Sequence, residues 1–203
     1  MRGSSSQLRR LVSWAAAPLA MVLAAGLVWQ ASYAAFSADT RNAGNSWSSG
    51  TVALTDDDGG SARFSVTNLI PGQTATACIR VTSTSSVFGP VKLYTLNATN
   101  MVGLAEYIKV SVTQGDGGSF SSCTGFVADS AGLIVDSRSL AYIATNYSSY
   151  ATGVGGWTTA ISPESKTYQI TYTFDATGLT QEQLDAFQGQ HTGIDFEWEI
   201  QNN

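Results

Sequence analysis

Thr167-Tyr168-Gln169-Ile170-Thr171-Tyr172-Thr173-Phe174-Asp175 alternates large apolar and small polar side chains at nearly every step. A period of two sets Tyr168, Ile170, Tyr172 and Phe174 on one face of an extended chain and Gln169, Thr171 and Thr173 on the other. One apolar and one polar face is what an antiparallel sheet needs when one side packs on a core. The same period returns at residues 192–201, where Ile194, Phe196, Trp198 and Ile200 point inward and Asp195, Glu197 and Glu199 outward. These two stretches predict strands and decide the fold class.

Working toward the N-terminus, the alternation recurs. Residues 107–114 carry Ile108, Val110 and Val112 on one face, and residues 87–97 carry Val91, Leu93 and Thr95. Residues 74–82 set Ala75, Ala77, Ile79 and Val81 toward the core, with Cys78 on the opposite face near an edge or a neighbouring loop. Residues 51–55 and 63–68 read as strands around the Asp56-Asp57-Asp58-Gly59-Gly60 turn. Pro71-Gly72 makes a second turn. Gly103–Glu106 reads as a helical turn, and residues 139–146 as a short surface helix with Leu140, Ile143 and Ala144 on one face. Thr180-Gln181-Glu182-Gln183 opens a brief helix as a capping box. Residues 119–127, with Cys123, read as a short strand or extended loop, and residues 147–156 as a loop. About eight strands with turns every 8–12 residues predict an all-β, two-sheet antiparallel β-sandwich of jelly-roll or immunoglobulin-like type with one or two short helices.

The 203-residue chain opens with Arg9-Arg10, an apolar run over residues 11–28, and Ser32-Tyr33-Ala34-Ala35. A charged head, an apolar middle and small residues at the exit read as a secretory signal peptide over residues 1–34, cut between Ala34 and Ala35. The alternative is a retained anchor, since the run approaches the ~20 residues that span a bilayer. The residues around Arg9-Arg10 fit twin-arginine export poorly. Residues 35–50 are expected to be a flexible start and residues 51–203 one domain. Arg2, Arg9 and Arg10 leave with the leader, so seven basic residues face 15 acidic ones, a net charge of −8. Such a surface repels phosphate backbones and anionic membranes, which disfavours nucleic acid and leaves membrane contact to the uncleaved leader. Cys78 and Cys123, the only cysteines, are expected to pair in an oxidising compartment.

Catalytic chemistry finds little support. His191 is the only histidine, there is no His-Glu-x-x-His, and no Gly-x-Ser-x-Gly elbow occurs. A metal, a cofactor and an enzyme activity are therefore not expected. Asp56-Asp57-Asp58 offers oxygens to calcium but lacks the spacing of an EF-hand loop, and reads first as a soluble hairpin tip. Asp195, Glu197 and Glu199 share one strand face, an arrangement that suits a solvated surface better than a glycosidase pair. Tyr142, Tyr147, Tyr150 and Trp157 read as packing before sugar stacking. Asn97-Ala98-Thr99 and Asn146-Tyr147-Ser148 fit the glycosylation triplet.

The junction after the leader, Ala35-Phe36-Ser37-Ala38-Asp39-Thr40, then Asn45-Ser46-Trp47 through Leu54, and residues 68–81 with Pro71-Gly72, resemble TasA/camelysin-type secreted proteins. The second half is similar to actinobacterial secreted proteins of that broad type, through Gly103-Leu104-Ala105-Glu106-Tyr107-Ile108, Ser122-Cys123-Thr124-Gly125-Phe126 and Phe196-Glu197-Trp198-Glu199-Ile200. The resemblance implies a jelly roll, a SipW-type signal peptidase as partner, and a role in extracellular matrix or surface fibres. The metalloprotease activity attributed to camelysins has no zinc-ligand pattern here. Cleavage would free a segment anchored by Phe36 and Trp47 to fill a neighbour's open sheet edge, making a homo-oligomer or fibre. The competing expectation is a non-polymerising secreted or surface-attached binding module, for example for glycans.

Overall fold

A computed structural model of the chain describes residues 37–41, 53–61, 64 and 69–201. The chain divides into two compact units, Met1–Ala35 and Phe36–Asn203, and every described residue belongs to the second. Among the described residues the strands are β1 (Ser37–Arg41), β2 (Leu54–Asp56), β3 (Thr74–Ser83), β4 (Pro90–Thr99), β5 (Ile108–Asp116), β6 (Val127–Ser139), β7 (Val154–Thr158), β8 (Glu164–Phe174) and β9 (Gly193–Gln201). Three short helices join them: α1 (Leu104–Tyr107), α2 (Leu140–Asn146) and α3 (Gln181–Ala186).

The strands form two antiparallel sheets, one in the order β1-β9-β4-β7 and one in the order β2-β3-β8-β5-β6. The all-β sandwich expected from the alternation is what the chain forms. β8 sits at the centre of the five-stranded sheet, and Tyr168, Ile170, Tyr172 and Phe174 are all buried. Facing them, β9 supplies Trp198 and Ile200, and β4 supplies Val91 and Leu93. The sheets meet where the Tyr168 and Trp198 rings lie 5.2 Å apart, centre to centre. Burying side chains of this size contributes roughly 1.5–3 kcal/mol each, and this layer is the main source of stability.

The helices follow their local signals. Thr180 caps α3: its Oγ1 accepts from the Gln183 backbone N–H, and the Gln183 side chain accepts from the Thr180 N–H, the reciprocal box read from the sequence. Ser139 caps α2 by accepting from Tyr142 N–H. α2 is not a surface helix, however. Leu140, Ala141 and Ile143 are buried, because the helix packs into the sandwich core.

Three strands were not expected. β6 was missed because, apart from Gly132, it buries only Val135 and Ser139, and three register shifts against β5 break its period. β7 contains Gly155 and Gly156 and buries only Trp157, so it carries no alternation. β1 falls where a flexible start was expected. Its Ser-Ala-Asp-Thr-Arg sequence has no apolar face, and pairing with β9 makes it a strand. The expected strand over residues 63–68 lies mostly outside the described residues; of it only Phe64 is described, its ring edge-on to Tyr172 at 5.2 Å.

Candidate functional site

β9 is an internal strand for half its length only. On one side it pairs with β4 from Val91↔Ile200 to Thr99↔Gly193. On the other it pairs with β1 through five positions, Ser37↔Gln201 to Arg41↔Glu197. Among the described residues, no strand flanks Gly193–Phe196 on that second side. A short edge strand is held by few hydrogen bonds, each with a net contribution of only about 0.5–1.5 kcal/mol. The ordering entropy of its residues offsets much of that sum.

Beside this half-open stretch lies a cleft of about 1020 Å³ between the sheets. Its floor is Ile79, Ile108, Ile170 and Phe174, its wall is Phe196 and Trp198 of β9, and Leu184 and Phe187 of the α3 region close its mouth. The Trp198 side chain is 1% exposed, and its indole Nε1 has no hydrogen-bond partner. The rim carries Asp185 and Asp195, both already held by amides. Asn97 Nδ2 donates to Asp195 at 2.7 Å, and Gln181 and Gln188 Nε2 donate to Asp185 at 2.8 and 3.2 Å. Among the described residues, no Lys or Arg lines the cleft, and His191 stands on its rim.

The opposite surface of the five-stranded sheet is cross-linked. Cys78 and Cys123 form a disulfide with Cα atoms 5.3 Å apart. Cys78 lies on the face of β3 away from Ile79, as expected, yet it is fully buried, because the loop that carries Cys123 folds over it. Asp57 ties the same place together: its carboxylate accepts from Arg80 N–H at 2.8 Å and from Phe120 N–H at 2.7 Å. The Arg80 guanidinium donates to the Gly118 carbonyl. Gly117 must be glycine, since its φ is 77° and a Cβ there would collide with the Gly125 carbonyl. Lys166 bridges Asp116 at 3.0 Å and Asp129 at 2.9 Å, joining β8 to β5 and β6. Burial works against the Lys166 charge, but the two carboxylates outweigh it and hold its pKa above the usual lysine value.

Asp58 is the unusual member of the acidic turn. It is 4% exposed, its Oδ1 accepts from Gly60 N–H at 2.6 Å, and its Oδ2 is buried without a partner. Burial, against the pull of the Gly60 N–H, raises its pKa to about 6, with Asp56 and Asp57 adding to the rise. The turn is therefore not a plain solvated tip. Among the described residues, no group of three or more His, Cys, Asp and Glu is placed to hold a metal.

The β9 acids also depart from a solvated face. Glu197 is fully buried, set in register between Arg41 of β1 and Tyr94 of β4. Glu199 accepts from Tyr94 Oη at 2.8 Å. These cross-strand partners are not revealed by a single strand's pattern. Tyr150 and Trp157 serve packing: Tyr150 Oη donates to the Pro90 carbonyl and Trp157 Nε1 to Glu164, at 2.9 Å each. His191 is exposed on the cleft rim, and its carbonyl accepts from Asn100 Nδ2. The side-chain amides of Asn97 and Asn146 donate to Asp195 and to the Tyr142 carbonyl. Ala34, Ala35, Phe36 and Trp47 lie outside the described residues. The cleft was missed because it arises from strands about 20 to 120 positions apart in sequence.

No known family model matches the chain, and no curated protein does. No helix among the described residues is long and apolar enough to cross a membrane.

Proposed function

We propose that the chain is a secreted structural protein that assembles into matrix or surface fibres by exchanging its N-terminal strand. The observation that carries the reading is β1. It begins at Ser37, just after the expected leader; it is the edge strand of its sheet, and it is held by five register pairs to β9. Residues 42–53 connect it to β2, a length that reaches about 40 Å when extended. That is enough for β1 to leave its own β9 and pair in the same register with the β9 of a neighbour. The hydrogen bonds made in trans equal those given up in cis, so the exchange is close to neutral per strand and is driven by concentration. Each chain gives a strand at one place and receives one at another, so the contact does not close and a filament grows. Phe36 and Trp47, on either side of β1, are the anchoring side chains. A leader still in the membrane tethers β1, and removal by a SipW-type peptidase between Ala34 and Ala35 frees it. The boundary of the folded unit, between Ala35 and Phe36, supports a cut at this place. The disulfide supports an oxidising, extracellular location.

The test is negative-stain electron microscopy of residues 35–203, of the chain with its leader, and of a chain lacking residues 35–47. Fibres are expected from the first alone, with the truncated chain a folded monomer by circular dichroism. Fibres from the truncated chain would overturn the proposal.

A further inference from the structure

We propose that one end of the sandwich, formed by residues 84–90 and 158–163, docks on a lipid bilayer through Phe88 and Ile161 while the leader is still held in the membrane. The proposal rests on the reading of residues 1–34 as a secretory leader, and adds a contact that the leader itself does not make. Residues 84–89 run from β3 to β4 and residues 159–163 from β7 to β8, so both cross between the sheets at the same end. They lie side by side: Thr159 N–H donates to the Gly89 carbonyl at 3.0 Å, and Gly89 N–H to Thr159 Oγ1 at 3.1 Å. Phe88 is 46% exposed and Ile161 64%. Apolar side chains grouped on a surface in this way mark an interaction site.

Three observations name a bilayer as the partner. The first is charge. Neither loop contains Asp, Glu, Lys or Arg. On a chain that is otherwise acidic, a neutral tip is the part that approaches lipid without repulsion. The second is the backbone. Glu164 Oε2 accepts from Ala160 N–H at 2.7 Å and from Ile161 N–H at 3.3 Å, and its Oε1 accepts from Trp157 Nε1 at 2.9 Å. Pro90 and Pro163 have no N–H to satisfy. Donors paired from within are what a segment entering a low-dielectric layer needs, and the Glu164 clamp holds the loop with Ile161 outward.

The third is where the chain enters. Ser37 lies opposite Gln201, Val91 opposite Ile200, and Pro90 opposite Thr158. Ser37, Gln201, Pro90 and Thr158 therefore form one row across the four-stranded sheet, about 14 Å over three strand spacings. Residues 29–36 alone separate the leader's apolar run from Ser37, at most about 29 Å of chain. A leader in the bilayer thus brings this end to the lipid surface. Ile70 and Val102 are exposed at the other end, but Glu106, Asp175 and Glu182 share that end with them. Two partly exposed side chains bury less than a myristoyl chain, whose own binding is marginal, so the contact acts only beside the leader.

The experiment uses the full chain with Ser162→Cys, labelled with a nitrobenzoxadiazole fluorophore. Cys78 and Cys123 are paired, so the new thiol is the one that reacts. A matched chain carries the label at Glu182→Cys, exposed at the opposite end. Each is reconstituted into phosphatidylcholine vesicles and floated on a density gradient. Blue-shifted emission and quenching by nitroxide-bearing lipid are expected at residue 162 and not at residue 182. Phe88→Ser with Ile161→Ser should lower the ratio of docked to undocked tips roughly tenfold while the chain still floats. Both side chains are exposed, and an unchanged unfolding curve checks that the fold is kept. Flotation with no shift at residue 162, an equal shift at residue 182, or a shift that survives the double substitution would overturn the docking and leave the leader reading standing. A chain that does not float would overturn both.

Discussion

The two sheets of this sandwich are built to different standards. In the five-stranded sheet β3 pairs with β8 through ten consecutive positions, and β8 with β5 through eight. Its outer face carries the disulfide, the Asp57 tie and the Lys166 bridges. In the four-stranded sheet β9 pairs with β1 through five positions, its register with β4 breaks between Leu96 and Thr99, and a cleft opens alongside. One sheet is a locked platform and the other keeps a short edge strand held by five register pairs. On the proposed strand exchange, the difference assigns stability to one layer and assembly to the other, so that a strand would leave without unfolding the domain.

The largest effect should come from unlocking the platform. The disulfide closes a 45-residue separation, and Cys78→Ala with Cys123→Ala should cost about 4 kcal/mol in the chain-entropy account. Denaturant unfolding measures it, and a loss under about 1 kcal/mol would blur the contrast between the sheets.

Asp58 gives a pH-dependent test of the same platform. Its folded pKa, about 6, lies above the ordinary 3.8, so the folded state holds the proton more tightly than the unfolded one. Below about pH 3 both states are protonated and the group contributes no difference. As pH rises toward 6 the unfolded chain ionises first and stability falls; above 6 the full penalty persists. Asp58→Asn should therefore leave stability nearly unchanged near pH 3 and raise it by about 3 kcal/mol at pH 7. Thermal unfolding at the two pH values reads the difference, and an equal change at both would contradict the burial account.

Smaller effects follow. Lys166→Met keeps the apolar stem and removes the bridges to Asp116 and Asp129, for a loss of about 1 kcal/mol that fades in high salt. Removal of residues 35–47 should be smaller still, under about 1 kcal/mol, because the edge strand's hydrogen bonds are offset by its ordering entropy. Should that deletion destabilise more than Lys166→Met, the exchangeable edge would be a structural strand instead.

Much of the platform was legible in the sequence. The period over residues 167–175 placed four buried side chains correctly, the Thr180 box named its helix start, and the expected pairing of Cys78 with Cys123 formed. What failed to show was whatever depends on neighbours. β6 lost its period to register shifts, β7 is mostly glycine and polar residues, and β1 is a strand only because β9 offers it an edge. Glu197 reads as solvated in any window of its own strand and is fully buried in the fold. The cleft has no local signature, since β3, β5, β8 and β9 contribute one or a few apolar residues each.

The central claim, that β1 pairs with β9 of another chain, can be read at one register position. Asp39 lies opposite Glu199. A chain with Asp39→Cys only is mixed with a chain with Glu199→Cys only, assembled, and oxidised gently. Strand exchange predicts a disulfide-linked dimer of one chain of each kind in fibres and none in dilute monomer. Fibres in which that link never forms, while a single chain carrying both substitutions closes it on itself, would contradict the account.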